Sequence, residues 1–111
     1  MNVEYTILCH PDDEAIEGNA IASGDEAEDK AEEDRILRAL QDGNEWAWCT
    51  VEVQAYVPGV EDFHGSTFLG GCSYEGEEDF KAGGYYEQMM QEALADLKEK
   101  VRLIAASLDE A

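Results

Sequence analysis

Basic residues, prolines and long apolar runs are all scarce in this sequence. Only 7 Lys and Arg stand against 27 Asp and Glu, which leaves a formal charge of -20 on 111 residues. A surface of that sign repels phosphate backbones and anionic membranes, so direct binding to nucleic acid or to an acidic lipid surface is excluded unless a metal bridges them. No segment approaches the roughly 18 apolar residues of a membrane span, and the first residues lack the basic start and apolar run of a secretory signal. A cytoplasmic protein with no membrane partner is expected. Cysteine is sparse as well: Cys9, Cys49 and Cys72 are odd in number, show no CxxC spacing and fall in segments that read as strands. They are expected as buried free thiols rather than as a disulfide or metal ligands. No Ser lies in a GxSxG context and no glycine-rich loop precedes a helix, so neither a serine nucleophile nor a phosphate cradle is indicated. No enzymatic activity and no cofactor are expected.

What is present argues for a folded chain. Apolar residues make up 44% of the sequence, with two Trp, five Tyr and three Phe. That content is typical of globular domains and too high for a disordered acidic chain. The length suits one domain, residues 1–111, with a radius of gyration of about 13 Å and a span of about 30 Å if the chain is compact.

Residues 4–9 (EYTILC) read as a strand ended by Pro11, and residues 11–24 as a long loop without helical periodicity. Ser23 and Glu26 have the form of a capping box ahead of a helix over about 25–41, in which Ala27, Ala31, Ile36, Leu37 and Leu40 recur at helical spacing. Residues 45–57 alternate strictly. Ala47, Cys49, Val51, Val53, Ala55 and Val57 are expected to face the core. Trp46, Trp48 and Tyr56 then share the opposite face, expected beneath a helix, with an exposed aromatic anchor as the alternative. Residues 66–74 return as the second strand of a hairpin, with a bulge or close packing at Gly70 and Gly71. After an acidic turn, a helix over about 85–108 carries Tyr86, Met90, Leu94, Leu97, Val101, Ile104 and Leu108 at steps of 4 and 3. This stripe is expected to pack on the sheet, a coiled-coil dimer being the alternative. The expected fold is α+β, an antiparallel sheet of about three strands with two main helices in the order β-α-β-β-α, as a monomer or homodimer.

Two features bear on function. The string HPDDE, from His10 to Glu14, follows the apolar strand TILC. It resembles the first motif of the zinc-dependent N-acetylglucosaminyl deacetylases. That resemblance, which spans about ten residues, implies His10 and Asp13 as zinc ligands, Asp12 as the base that activates the zinc-bound water, and His64 as the remaining ligand.

The second feature is the density of carboxylates. Asp25, Glu28, Asp29, Glu32 and Glu33 lie on the first helix, and Glu77, Glu78 and Asp79 form a second cluster. A duplex of about 30 Å carries about 18 phosphates, the same order as the net charge. In size, acidity and helix-plus-hairpin content the chain resembles the small acidic anti-defence proteins of phages and plasmids, anti-CRISPR and anti-restriction proteins among them. The segments GNAIASGD (18–25) and NEWAWCTVEV (44–53) resemble stretches of such small proteins. This resemblance implies a stoichiometric inhibitor that occupies a basic nucleic-acid-binding surface as a DNA mimic, with those eight carboxylates as its contacts. The alternative is an acidic adaptor or regulatory subunit for a basic protein partner; a deacetylase-like zinc site at HPDDE stands third.

Overall fold

The computed structural model describes residues 2–111. Its architecture is α+β. Strands β1 (Glu4–Pro11), β2 (Cys49–Tyr56) and β3 (His64–Cys72) form an antiparallel sheet in the order β1-β2-β3, joined by helices α1 (Glu26–Gln41), α2 (Glu77–Ala82) and α3 (Tyr86–Asp109). β2 takes the centre because its alternating residues Cys49, Val51, Val53 and Ala55 are fully apolar and all become buried. The rows Tyr5–Ala55–Gly65, Ile7–Val53–Thr67 and Cys9–Val51–Leu69 make the core face. β3 holds one residue more than β2 between the Leu69 and Cys72 pairs, and the resulting bulge falls at Gly70 and Gly71, the latter at φ 64°. The extra residue returns Cys72 to the core face, directly opposite Cys49.

The first half of α3 lies on β2 and β3 and buries Met89, Ala93 and Leu97. The approach is so close that a Cβ on Gly65 would land on the Ala93 carbonyl oxygen and the Leu97 backbone. Polar clips fix the same contact. The Ser66 N–H donates to Asp96 (2.8 Å), Thr67 Oγ1 to Glu92 (2.8 Å), and Lys100 Nζ to the His64 carbonyl (3.0 Å). The seven-residue stripe expected to cover the sheet is therefore only partly used. Tyr86, Met90 and Leu94 are half-buried and Leu97 buried, but every residue from Val101 onward is exposed, because His64, beside Lys100, is the first residue of β3.

Two elements depart from the sequence expectation. Residues 45–47 do not extend the strand. They form a 3₁₀ turn, capped by Asn44 Oδ1, which accepts from the Trp46 N–H at 3.1 Å. The turn breaks the alternation, so Trp46, Trp48 and Tyr56 do not share a face. Trp46 packs on Phe80 (centroids 6.0 Å apart), Trp48 is buried with Nε1 donating to the Glu14 carbonyl (2.9 Å), and Tyr56 lies half-buried beside Glu4. The acidic stretch after β3 folds as α2, one and a half turns long, around Phe80, which is fully buried and edge-on to Tyr74 (5.4 Å) and Tyr86 (6.0 Å).

α1 begins two residues later than the proposed capping box requires. Asp25, not Ser23, is the N-cap, its carboxylate accepting from the Ala27 and Glu28 N–H groups. At the other end Gly43, at φ 98°, lets the Asn44 and Gly43 N–H groups close on the Ala39 and Leu40 carbonyls, a Schellman ending. Only Ile36 of this helix is buried, and α1 packs against the 3₁₀ turn at the Cys49 end of the sheet. With α1 at one end and the overhanging α3 at the other, the molecule is a rod of 61 × 23 × 22 Å with a radius of gyration of 17.7 Å. This corrects the compact shape of about 13 Å expected from length alone.

Candidate functional site

The first half of α1 and the loop before it enclose an open cleft of about 710 Å³, lined by Ile16, Glu17, Glu26, Asp29, Glu33 and Leu37 among others. Two of its five carboxylates hold the loop on the helix. Asp29 accepts from Ser23 Oγ (2.6 Å) and the Ser23 N–H (3.1 Å), and Glu33 accepts from the Gly18 N–H (3.1 Å). Glu32 is bidentate with Arg35, which holds its carboxyl below the usual range and raises the guanidinium. The second cluster is similarly engaged, with Lys81 reaching Glu77 (3.8 Å) and Glu78 (3.6 Å) and Asp79 accepting from the Glu75 N–H (2.9 Å). Glu28, alone of the eight carboxylates singled out in the sequence, has no hydrogen-bond or ion-pair partner among the described residues. Arg35 also feels the second acidic segment at a distance. Its pKa rises first through Glu32 and, as the smallest contribution, through the charge of Glu75 just ahead of α2.

The HPDDE segment folds as a strand end and a turn. His10 points to the sheet face away from α3, where its Nε2 lies 2.8 Å from Glu52 Oε1. Glu52 is 7% exposed, and it also accepts from Gln54 (2.9 Å) and Ser66 (3.0 Å). Burial raises its pKa, but the hydrogen bonds from Gln54, His10 and Ser66 outweigh burial and leave it below the ordinary carboxylate value. Asp12 is a staple: Oδ2 accepts from the Gly71 N–H (2.7 Å) and Thr50 (3.2 Å), and Oδ1 from the Glu14 N–H (2.9 Å). The Gly71 bond and then the Glu14 bond depress its pKa. Asp13 is exposed.

His64 cannot join them. His10 pairs with Thr50 and His64 with Tyr56, positions six residues apart on β2 and so about 20 Å distant. Among the described residues no group of three His, Cys, Asp or Glu side chains is placed to hold a metal ion. The ligand set implied by the deacetylase resemblance is not assembled, because the pleat of β1 turns His10 to Glu52 while Asp12 is consumed by the turn.

The three cysteines are free thiols, two buried and Cys9 half-buried, and they gather at one end of the core face. Their sulfurs donate to the carbonyls of Glu45 (3.6 Å), Trp46 (3.8 Å) and Leu69 (3.2 Å) respectively. Burial pushes all three pKa values up, which keeps the thiols protonated and unreactive.

Sequence reasoning missed the open sheet face. Its central row is Leu8–Glu52–Phe68, with Phe68 62% exposed and Glu52 buried between them. The signal was present: Glu52 is the one acid in the central strand, flanked by Val51 and Val53.

No family model matches the chain, and no curated protein or solved structure matches it either. Among the described residues no helix is long and apolar enough to cross a membrane.

Proposed function

We propose that this protein is a stoichiometric inhibitor that lies on a basic nucleic-acid-binding surface and displaces the nucleic acid. The observation that carries this reading is the combination of charge and shape. A net charge of -20 along a 61 Å rod is one charge per ~3 Å, close to the phosphate spacing of about 3.4 Å along one DNA strand. The charge is concentrated in the body, because residues 98–108 contain three of the seven basic residues and a single acid, Glu99. A groove lined with Lys and Arg would gain from such an array in encounter rate and in register. Asp25, Glu28, Asp29, Glu32 and Glu33 on α1, with Glu77, Glu78 and Asp79 on α2, remain the proposed contact surface.

A second reading, an acidic adaptor that leaves its partner's nucleic acid in place, is favoured by Phe68 on the uncovered sheet face. One experiment separates the two. The protein is used as bait in a bacterial lysate, before and after nuclease treatment and across a salt series. An inhibitor recovers a basic nucleic-acid-processing complex that duplex DNA competes away, whereas an adaptor retains it in the presence of DNA. Reversal of Glu28, Glu77 and Glu78 to Lys, positions outside the cap and the loop clips, abolishes capture of the inhibitor's target. Unchanged capture by that variant rejects the carboxylate surface. Asp25 is unsuited to this test, since its loss uncaps α1 at a cost of about 1 kcal/mol.

A further inference from the structure

The overhang of α3 carries four of the eight large apolar residues that are exposed among the described residues. Val101 is 51% exposed, Leu103 51%, Ile104 46% and Leu108 69%. Leu97, Val101, Ile104 and Leu108 continue the 4,3 spacing of a helix–helix seam with no sheet left beneath the last three. Charge identifies the occupant. Lys98, Lys100 and Arg102 lie where the overhang begins, Lys100 paired with Asp96 (3.1 Å) and Arg102 with Glu99 (2.6 Å) so that Lys98 is the cation without an ion pair among the described residues, and Asp109 and Glu110 close it. A basic partner is repelled by the first group. A second copy approaching anywhere on the body meets net charge of the same sign. At the overhang, however, two copies laid antiparallel bring the basic start of each helix beside the acidic end of the other.

We infer that the protein self-associates through an antiparallel pairing of the α3 overhangs about a two-fold axis. In the register that opposes Val101 to Ile104 of the second copy, Leu108 reaches the level of Leu97. Lys98 falls level with Ser107 and within two residues of Asp109 of the second copy, and Lys100 is level with the uncharged Ala105. A parallel pairing would instead place Lys98 on Lys98 and Asp109 on Asp109. The antiparallel arrangement also answers a local defect, because α3 has no basic residue in its last turn and ends on two acids, the sign its dipole disfavours. It holds the two acidic bodies at opposite ends of the dimer, where salt screens what repulsion remains. The overhang, Val101 to Asp109, is about 14 Å long. A contact that short belongs to the low end of specific interfaces and gives a transient dimer. This inference does not rest on the nucleic-acid-mimic reading.

Sedimentation equilibrium of the full chain from about 5 to 500 μM, at low salt and at about 0.5 M NaCl, tests it, a range suited to a transient interface. The expected result is a monomer–dimer equilibrium that tightens with salt. Ile104→Lys should weaken it at least ~10-fold, as loss of a central apolar anchor does, with unchanged helical content by circular dichroism. Lys98→Asp should weaken it by a smaller factor, and Lys98→Asp with Asp109→Lys should restore it, since only the antiparallel register pairs those positions. A monomer at every concentration overturns the inference. So do assemblies larger than two that dissolve with salt, which would mean that the basic overhang docks instead in the acidic cleft of the next copy. Failure of the double exchange to restore association overturns the antiparallel register.

Discussion

The two halves of α3 carry the same apolar spacing and meet different fates. From Tyr86 to Lys100 the helix lies on β2 and β3, and Met89, Ala93 and Leu97 are buried; from Val101 to Asp109 the same spacing faces solvent. Periodicity thus identifies a face of a helix but not the length over which something covers it. The cover is set by β3, whose His64 end is fixed at the level of Lys100 by the Lys100–His64 bond and by the Ser66–Asp96 clip. The first half is held by burial and close packing. The second half is held by its own backbone hydrogen bonds and, in the dimer inferred above, by another copy.

The comparison is broken most severely at Gly65. Its side-chain-free backbone is what admits the covered half of α3, and a Cβ there strikes backbone rather than a movable side chain. Gly65→Val is expected to cost more than ~3 kcal/mol, because the helix must lift off the sheet. Leu97→Ala, which leaves a hole under the same helix, is expected to cost about 2–4 kcal/mol. Urea denaturation followed by circular dichroism measures both. A Gly65→Val protein as stable as the parent would mean that α3 does not lie where it is described.

A smaller effect lies at the boundary between the halves. Asp96 is held below the ordinary carboxylate value, first by the Ser66 N–H bond and then by Lys100. A group depressed in the folded state contributes stability above its unfolded pKa of about 3.9, and that contribution is lost as the pH falls through the folded value. Asp96→Asn should cost about 1 kcal/mol at pH 7 and nothing at a pH below the folded value, so the stability curves of parent and variant converge in acid. Parallel curves from pH 7 to pH 2 would show that Asp96 acts through shape and not through charge.

Much of this was legible in the sequence, and what was not shares one cause. The strict alternation of Cys49 to Tyr56 announced the central strand, and Gly70–Gly71 announced the bulge, because period and glycine content are local properties. α2 was hidden because a helix of six residues built around Phe80 has no period to detect, and its four flanking acids read as a turn. The end of the strand at Cys49 rather than Glu45 was hidden because Asn44 caps a 3₁₀ turn inside an otherwise perfect alternation. At the acidic surface, residue identities were legible, but their employment was not. Asp29 and Glu33 bind Ser23 and Gly18, contacts fixed by the path of the loop rather than by spacing on the helix.

The smallest effect is the most discriminating, since it concerns the uncovered half. Ile104 has the spacing of a core residue, and in the buried half of α3 its truncation would open a cavity. On the overhang no neighbour is left unfilled. Ile104→Ala is therefore expected to change the stability of the monomer by no more than ~0.5 kcal/mol, as a surface substitution does. The measurement is made in dilute protein, where dimer is not populated, and then repeated at about a hundredfold higher concentration. There the parent gains stability by mass action through its second copy while Ile104→Ala does not. A loss of stability already present in dilute protein would mean that the second half of α3 folds back onto its own chain. The distinction between the halves would then disappear.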